Sequence, residues 1–284
     1  MRHFAFLLFL PLVLASTIAV AQDNASSAED FYKSGIGLLE KNNWDGAIAA
    51  FTKAIEINPT YADAYVGRGR ARHKKRDWDG AIADYSKAIE SNPEFAEAFR
   101  RRGLARRSKH DIDGAIADFT TAININPRGA DLYGERGNTN LMKDDFDGAI
   151  ADFTKMIALA PQDTWGYSGR AFGREQKGDH DGAIADYTKA IEINSSHGPS
   201  FFGRGMSRYH KRDFDGAIAD LTKAIELDPK DFKSYLYRGY AKLKQGRDGE
   251  AQQDFDVVLR LNGNIKSELE KTVNEIKQAR QTKP

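Results

Sequence analysis

A sixteen-residue phrase returns along this chain at a fixed step of 34 residues. It reads WDGAIAAFTKAIEINP from Trp44, WDGAIADYSKAIESNP from Trp78 and IDGAIADFTTAININP from Ile112. It then continues as FDGAIADFTKMIALAP from Phe146, HDGAIADYTKAIEINS from His180 and FDGAIADLTKAIELDP from Phe214. A fixed period of about 20 to 50 residues marks stacked supersecondary units, each too small to bury its own apolar face. Such a chain cannot close on a single globular core, and most of its eye-catching residues are packing residues first. The same step carries Ala217 to Ala251, Asp220 to Asp254 and Leu227 to Leu261, so a degenerate seventh copy follows. Seven units therefore run 28–61, 62–95, 96–129, 130–163, 164–197, 198–231 and 232–265.

Each unit predicts two helices. The upstream one carries an aromatic and, four residues later, a small residue: Phe31/Gly35, Tyr65/Gly69, Phe99/Gly103, Tyr133/Gly137, Tyr167/Ala171, Phe201/Gly205 and Tyr235/Gly239. That spacing places both on one helical face. The downstream helix shows Ala47, Phe51 and Ala54 and their equivalents, an apolar stripe with a ring between two alanines. Pro59, Pro93, Pro127, Pro161 and Pro229 end the second helix, because proline disfavours helical geometry at the residue before it and donates no hydrogen bond.

With these aromatic, glycine, alanine and proline positions the chain resembles the tetratricopeptide repeat family over all but its two ends. The resemblance implies an all-α, right-handed superhelical solenoid of seven helix-turn-helix repeats. Met156 and Val258 depart from the second alanine, Ser195 and Gly263 from the proline, and arginines stand where the family usually has leucine.

Those arginines, Arg68, Arg102, Arg136, Arg170, Arg204 and Arg238, each precede an aspartate by 16 residues: Asp84, Asp118, Asp152, Asp186, Asp220 and Asp254. The first unit lacks both, holding Ser34 and Ala50. Joint presence and joint absence predict structural ion pairs across the two helices of a hairpin, bidentate and partly buried. The alternative is that both are solvated surface charges.

The ends differ in kind. Residues 1–21 read as an export signal: Arg2, an apolar run from Phe4 to Ala15, and Ala19-Val20-Ala21 framing a cleavage site. This places the protein outside the cytoplasm, most simply in a bacterial periplasm, with an uncleaved membrane anchor as the alternative. The absence of cysteine excludes a disulfide framework and cysteine acylation. Residues 22–27 form a short polar linker. From 266 to 284, Leu269, Val273 and Ile276, with Ile265 just before them, give one apolar stripe, expected to cap the last repeat.

Chemistry is hard to find. Forty-two basic and 41 acidic residues leave a net charge of +1, and loss of Arg2 brings it to zero, which gives no support to a nucleic-acid partner. The six histidines include no pair at i, i+4, no HExxH or GxSxG occurs, and Gly67-Arg68-Gly69 lacks a GK[ST] ending. The expectation is no enzyme, no cofactor and no metal.

What the repeats leave unprescribed is one face of the first helices, which in the resembled family lines a concave groove. Carried over, the groove positions hold Arg70, His73, Arg100 and Arg107, with Val66, Leu104 and Lys74, as a basic patch. They also hold Trp165, Phe172, Phe202, Met206, Tyr209 and Tyr240, with Leu236 and Leu243, as an aromatic patch. Aromatics, methionine and arginine are the side chains of interface centres. The expectation is a scaffold binding a protein or peptide partner. The alternatives are an anionic envelope polymer or glycan as ligand, or a noncatalytic subunit role in an envelope enzyme complex, and burial of the aromatics by curvature or by the capping helix stays open. The eukaryotic carboxylate clamp of this family, Lys and Asn four residues apart, does not occur: Asn138 has Gly134 before it.

Overall fold

The computed structural model describes residues 27–281. The expected export signal, most of the linker and the last three residues lie outside the described residues. Ser27, assigned to the linker by sequence, already belongs to the first helix. Among the described residues there are fifteen α-helices, one short 3-10 turn and no strand. They fall into two compact units that divide between Leu132 and Tyr133.

The first unit holds α1 (residues 27–40), α2 (Trp44–Ile57), α3 (Ala62–Lys74), α4 (Trp78–Ser91), α5 (Ala96–Ser108) and α6 (Ile112–Ile125). α7 (Ala130–Met142) leads into the second unit, with α8 (Phe146–Leu159), α9 (Thr164–Gln176), α10 (His180–Ile193), α11 (Gly198–His210), α12 (Phe214–Leu227), α13 (Phe232–Lys244), α14 (Asp248–Leu261) and α15 (Lys266–Gln281). Within each unit consecutive helices pair, and the pairs stack.

The recurring phrase encodes these boundaries. Asp77, Asp111, Asp145, Asp179 and Asp213, with Asn43 in the first copy, each cap a downstream helix by accepting from a glycine N–H three residues on, as Asp77 does from Gly80 at 3.0 Å. A Cβ at Gly80 would stand 2.2 Å from the Asp77 carboxyl, which accounts for the glycine of each copy. Before each cap one residue has left-handed backbone: Asn42, Arg76, His110, Asp144, Gly178, Arg212 and Gly246, at φ between 56° and 82°. This is the position where a helix C-terminus ordinarily takes glycine.

Packing follows the aromatic and small residues. The Phe51 ring lies where a Cβ on either Gly35 or Gly67 would stand, at 2.6 and 2.5 Å, so one ring locks its own hairpin and the next. Phe153 does the same between Gly137 and Gly169. Gly169 is therefore a packing position of its helix. The junction Ser195-Ser196-His197-Gly198-Pro199, irregular in sequence, has the same spacing between helices as its counterparts, with Asn194 accepting from Ser196 N–H at 3.0 Å.

α15 lies across the last hairpin. Leu269 and Ile276 are buried with Tyr240, Leu243, Phe255 and Val258, and Arg280 donates to the Leu243 carbonyl at 2.9 Å. Among the described residues no helix is long and apolar enough to cross a membrane.

Candidate functional site

Buried charge sets the frame of the groove. In the α3/α4 hairpin Arg68 donates through Nε and Nη2 to Asp84, with Nη2 to Oδ1 at 2.7 Å. Arg72 adds a bond to Asp84 Oδ2 at 2.9 Å, and Arg68 Nη1 reaches Thr52 of the preceding hairpin at 3.1 Å. The Arg–Asp contact recurs at 2.6–2.8 Å for Arg102/Asp118, Arg136/Asp152, Arg170/Asp186, Arg204/Asp220 and Arg238/Asp254. The six aspartates are 2–5% exposed. Each arginine also covers the aromatic three residues before it, Arg68 lying 5.6 Å from the Tyr65 ring centre. Arg68, Arg102, Arg170, Arg204 and Arg238 thus join hairpin to hairpin within their own unit, and all six arginines are largely shielded from solvent.

Two elements of this ladder escaped the sequence reading. The second donor, twelve residues before the aspartate, is Arg72, Arg106, Arg174 or Arg208, with Asn140 and Lys242 in two copies. The hydroxyl sixteen residues before the arginine is Thr52, Ser86, Thr154, Thr188 or Thr222. Both were visible as further periodic positions.

The first unit contains a basic cavity of about 420 Å³. Arg70, His73, Lys74 and Arg101 line it with Glu40, Trp44, Ile36, Leu39 and Tyr85. The expected patch is corrected in four places. Arg100 is engaged rather than free: it bonds Glu97 at 2.7 Å and approaches Asp131 at 3.7 Å. Arg107 lies over the Phe119 ring at 5.8 Å. Val66 is buried against the alanine stripe of α4 and α5. His73 bonds Ser108 at 3.2 Å, and burial, then Lys74 and Arg101, hold it below the usual histidine range, so it carries little charge at neutral pH. The cavity's cations are Arg70, Lys74 and Arg101.

The second unit holds an apolar groove. A cavity of about 450 Å³ is bounded by Leu141 and Asn138 of α7, Trp165, Ser168, Phe172 and Glu175 of α9, Tyr187 of α10, and Phe202 and Met206 of α11. Phe172 is 43% exposed. Phe202 and Met206 also border a neighbouring hollow of about 340 Å³ under Leu236, Tyr237, Tyr240 and Leu269. Four of the predicted aromatic-patch residues are thus brought to one wall. Tyr209 is corrected: its ring is half-buried against the core, packed edge-on to Phe214 at 5.7 Å and Tyr237 at 6.2 Å. Tyr240 and Leu243 are corrected as well, being 8% and 1% exposed because α15 closes over them.

Glu175 is the groove residue that the sequence reading passed over. It shares its register position with Leu39, His73, Arg107, Leu141, Tyr209 and Leu243, and is the one acid among them. Its carboxylate accepts from Tyr187 Oη at 3.2 Å, and burial pushes its pKa up to about 7. Among the described residues no group of three histidine, aspartate or glutamate side chains gathers as a metal site.

Comparison with known proteins places this geometry. A profile described as TPR repeat matches residues 38–76, 69–109 and 205–246, and two described as tetratricopeptide repeat match 96–164 and 174–197. An uncharacterised protein of Methanocaldococcus jannaschii, MJ0572, is 39% identical over 49 residues, 17% of this chain, and the chain spans 57% of that relative's length. Among solved structures, the MamA protein is 26% identical with a TM-score of 0.55, over 60% of this chain and 92% of its own. YrrB, described as a TPR protein with an unusual peptide-binding site, is 24% identical at a TM-score of 0.56, over 65% and 95%. A tetratricopeptide repeat protein of Parabacteroides merdae is 17% identical at 0.66, over 90% and 100%. The last two show the fold alone.

Proposed function

The chain belongs to the tetratricopeptide repeat family, and we propose that it is a non-enzymatic scaffold that holds a segment of a partner protein in the groove of its second unit. The observation that carries this is the exposure of Phe172 in a hollow it shares with Trp165, Phe202 and Met206. Trp165 and Phe202 also pack within the unit, against Phe153 at 6.4 Å and Tyr237 at 6.0 Å, whereas Phe172 stays open to solvent beside them. Burying one such side chain contributes about 1.5–3 kcal/mol, against about 0.2–1 kcal/mol for an exposed ion pair. The aromatic groove therefore dominates affinity, and the basic cavity of the first unit supplies a weaker anchor for carboxylates. The export signal read in residues 1–21 supports a cell-envelope location for this activity.

An anionic polymer as ligand is favoured by one feature, the Arg70, Lys74 and Arg101 cavity. The two readings separate by affinity purification from cells. On the proposal, a defined partner is retained by the wild type in high salt and lost with Phe172→Glu at unchanged melting temperature, and with Phe202→Glu. A partner set that survives both substitutions and is lost instead with Arg70→Glu overturns it.

A further inference from the structure

We propose that the groove of the second unit contains a seat for one cationic side chain, an arginine or lysine of the bound segment, with Glu175 as counter-ion and the rings of Trp165, Phe172 and Phe202 as its walls. This rests on the reading of the groove as a peptide site and names the chemistry it selects.

The seat follows from what Glu175 lacks. The ladder carboxylates each hold two donors, whereas Glu175 forms no ion pair with any described residue and has the Tyr187 hydroxyl as its one hydrogen-bond donor. The cations nearest in sequence are committed elsewhere. Arg174 bonds Asp186 and the Gly182 carbonyl, and Lys177 pairs with Asp147. A carboxylate half-buried among aromatic rings without a cation is costly, and the cost is relieved when a charged donor arrives. Burial already raises its pKa to about 7, the mark of an acid in want of a positive partner.

The occupant is fixed by charge and shape together. Aromatic faces attract a cation through the ring quadrupole, and a carboxylate beside them supplies the opposite charge. Arginine and lysine combine an apolar stem with a charged head, matching a hollow whose apolar wall includes Leu141 and Met206 and whose acid is Glu175. A wholly apolar segment leaves the carboxylate without a partner, and an acidic one is repelled.

The test uses the full chain and a random dodecapeptide display library. The wild type is expected to enrich peptides with an arginine or lysine between apolar residues. Replacing that residue by norleucine in the synthetic peptide should weaken binding at least about tenfold, the order of one charge-assisted hydrogen bond. The near-isosteric Glu175→Gln, its fold checked by circular dichroism, should bind both peptides equally. Enrichment without a basic residue, equal binding of the norleucine peptide to the wild type, or a preference for arginine that survives in Glu175→Gln overturns the seat and leaves the groove reading standing. If no enriched peptide loses binding to Phe202→Glu, the groove reading falls and the seat falls with it.

Discussion

Arg170 of α9 and Asp186 of α10 face each other across one hairpin, with Nη2 to Oδ1 at 2.7 Å and Nε to Oδ2 at 2.8 Å. The same guanidinium continues to Thr154 of the preceding hairpin at 3.2 Å. One side chain thereby ties the helices within a repeat and the repeat to its neighbour, and it does so on a carboxylate that is 5% exposed.

Removing that carboxylate should be severe. Asp186→Ala takes their shared carboxylate from two partly buried guanidinium groups, Arg170 and Arg174, and is expected to cost about 3 kcal/mol, seen as a lowered denaturant midpoint. Lys211→Ala, which breaks an exposed pair with Asp181, should cost under about 1 kcal/mol. Equal effects of the two would mean the ladder is solvated in solution.

The left-handed residues before each cap offer a stabilising change. Gly178 and Gly246 occupy this position without strain, whereas Arg76 and Arg212 hold φ of 63° and 64° with a full side chain. Arg76→Gly and Arg212→Gly should each raise stability by about 0.5–1 kcal/mol, while Arg76→Val should lower it. Thermal melts of the three variants decide this.

Glu175 makes stability depend on pH in a direction opposite to most acids. Its folded pKa, about 7, lies above the unfolded carboxylate value of 4.5. Below the unfolded value both states are protonated and the residue costs nothing. As pH rises from there to the folded value, the unfolded state releases its proton first, and stability falls. Glu175→Gln should therefore stabilise the chain by about 1–2 kcal/mol at pH 8, after allowance for solvent at the groove, and leave it unchanged at pH 4. Parallel pH–stability curves for variant and wild type would contradict this.

α15 is expected to hold the end of the array shut. Leu269→Ala should cost about 2–4 kcal/mol through the cavity left beside Tyr240 and Val258, and should speed hydrogen exchange in α13 and α14 ahead of α9. Unchanged exchange in α13 would show that the helix merely rests on the surface.

The repeat period, the helix pairs and the family were legible because the same physical demands recur at every step: a cap, a glycine beneath a ring, an alanine at a close approach. Repetition turns each demand into a column that composition cannot hide. The groove was less legible for the converse reason. Its positions differ from copy to copy, so register alone says where a side chain starts and not what later covers it. Tyr240 and Leu243 look like groove residues until α15, outside the repeats, closes over them. Arg100 looks free until Glu97, one turn earlier, takes it. His180 and His210 stack at 5.0 Å although thirty residues apart, a contact that a search at helical spacing cannot find. Glu175 is readable as the one acid in its column, but a residue that occurs in a single copy carries no periodic signal.

The most direct test of the account is photocrosslinking in cells from position 172, with Phe172 replaced by a crosslinking amino acid and the adducts identified by mass spectrometry. The account predicts one recurrent protein, joined through a segment that carries a basic residue among apolar ones. Adducts that are absent or heterogeneous, from a chain with unaltered folding, would contradict it.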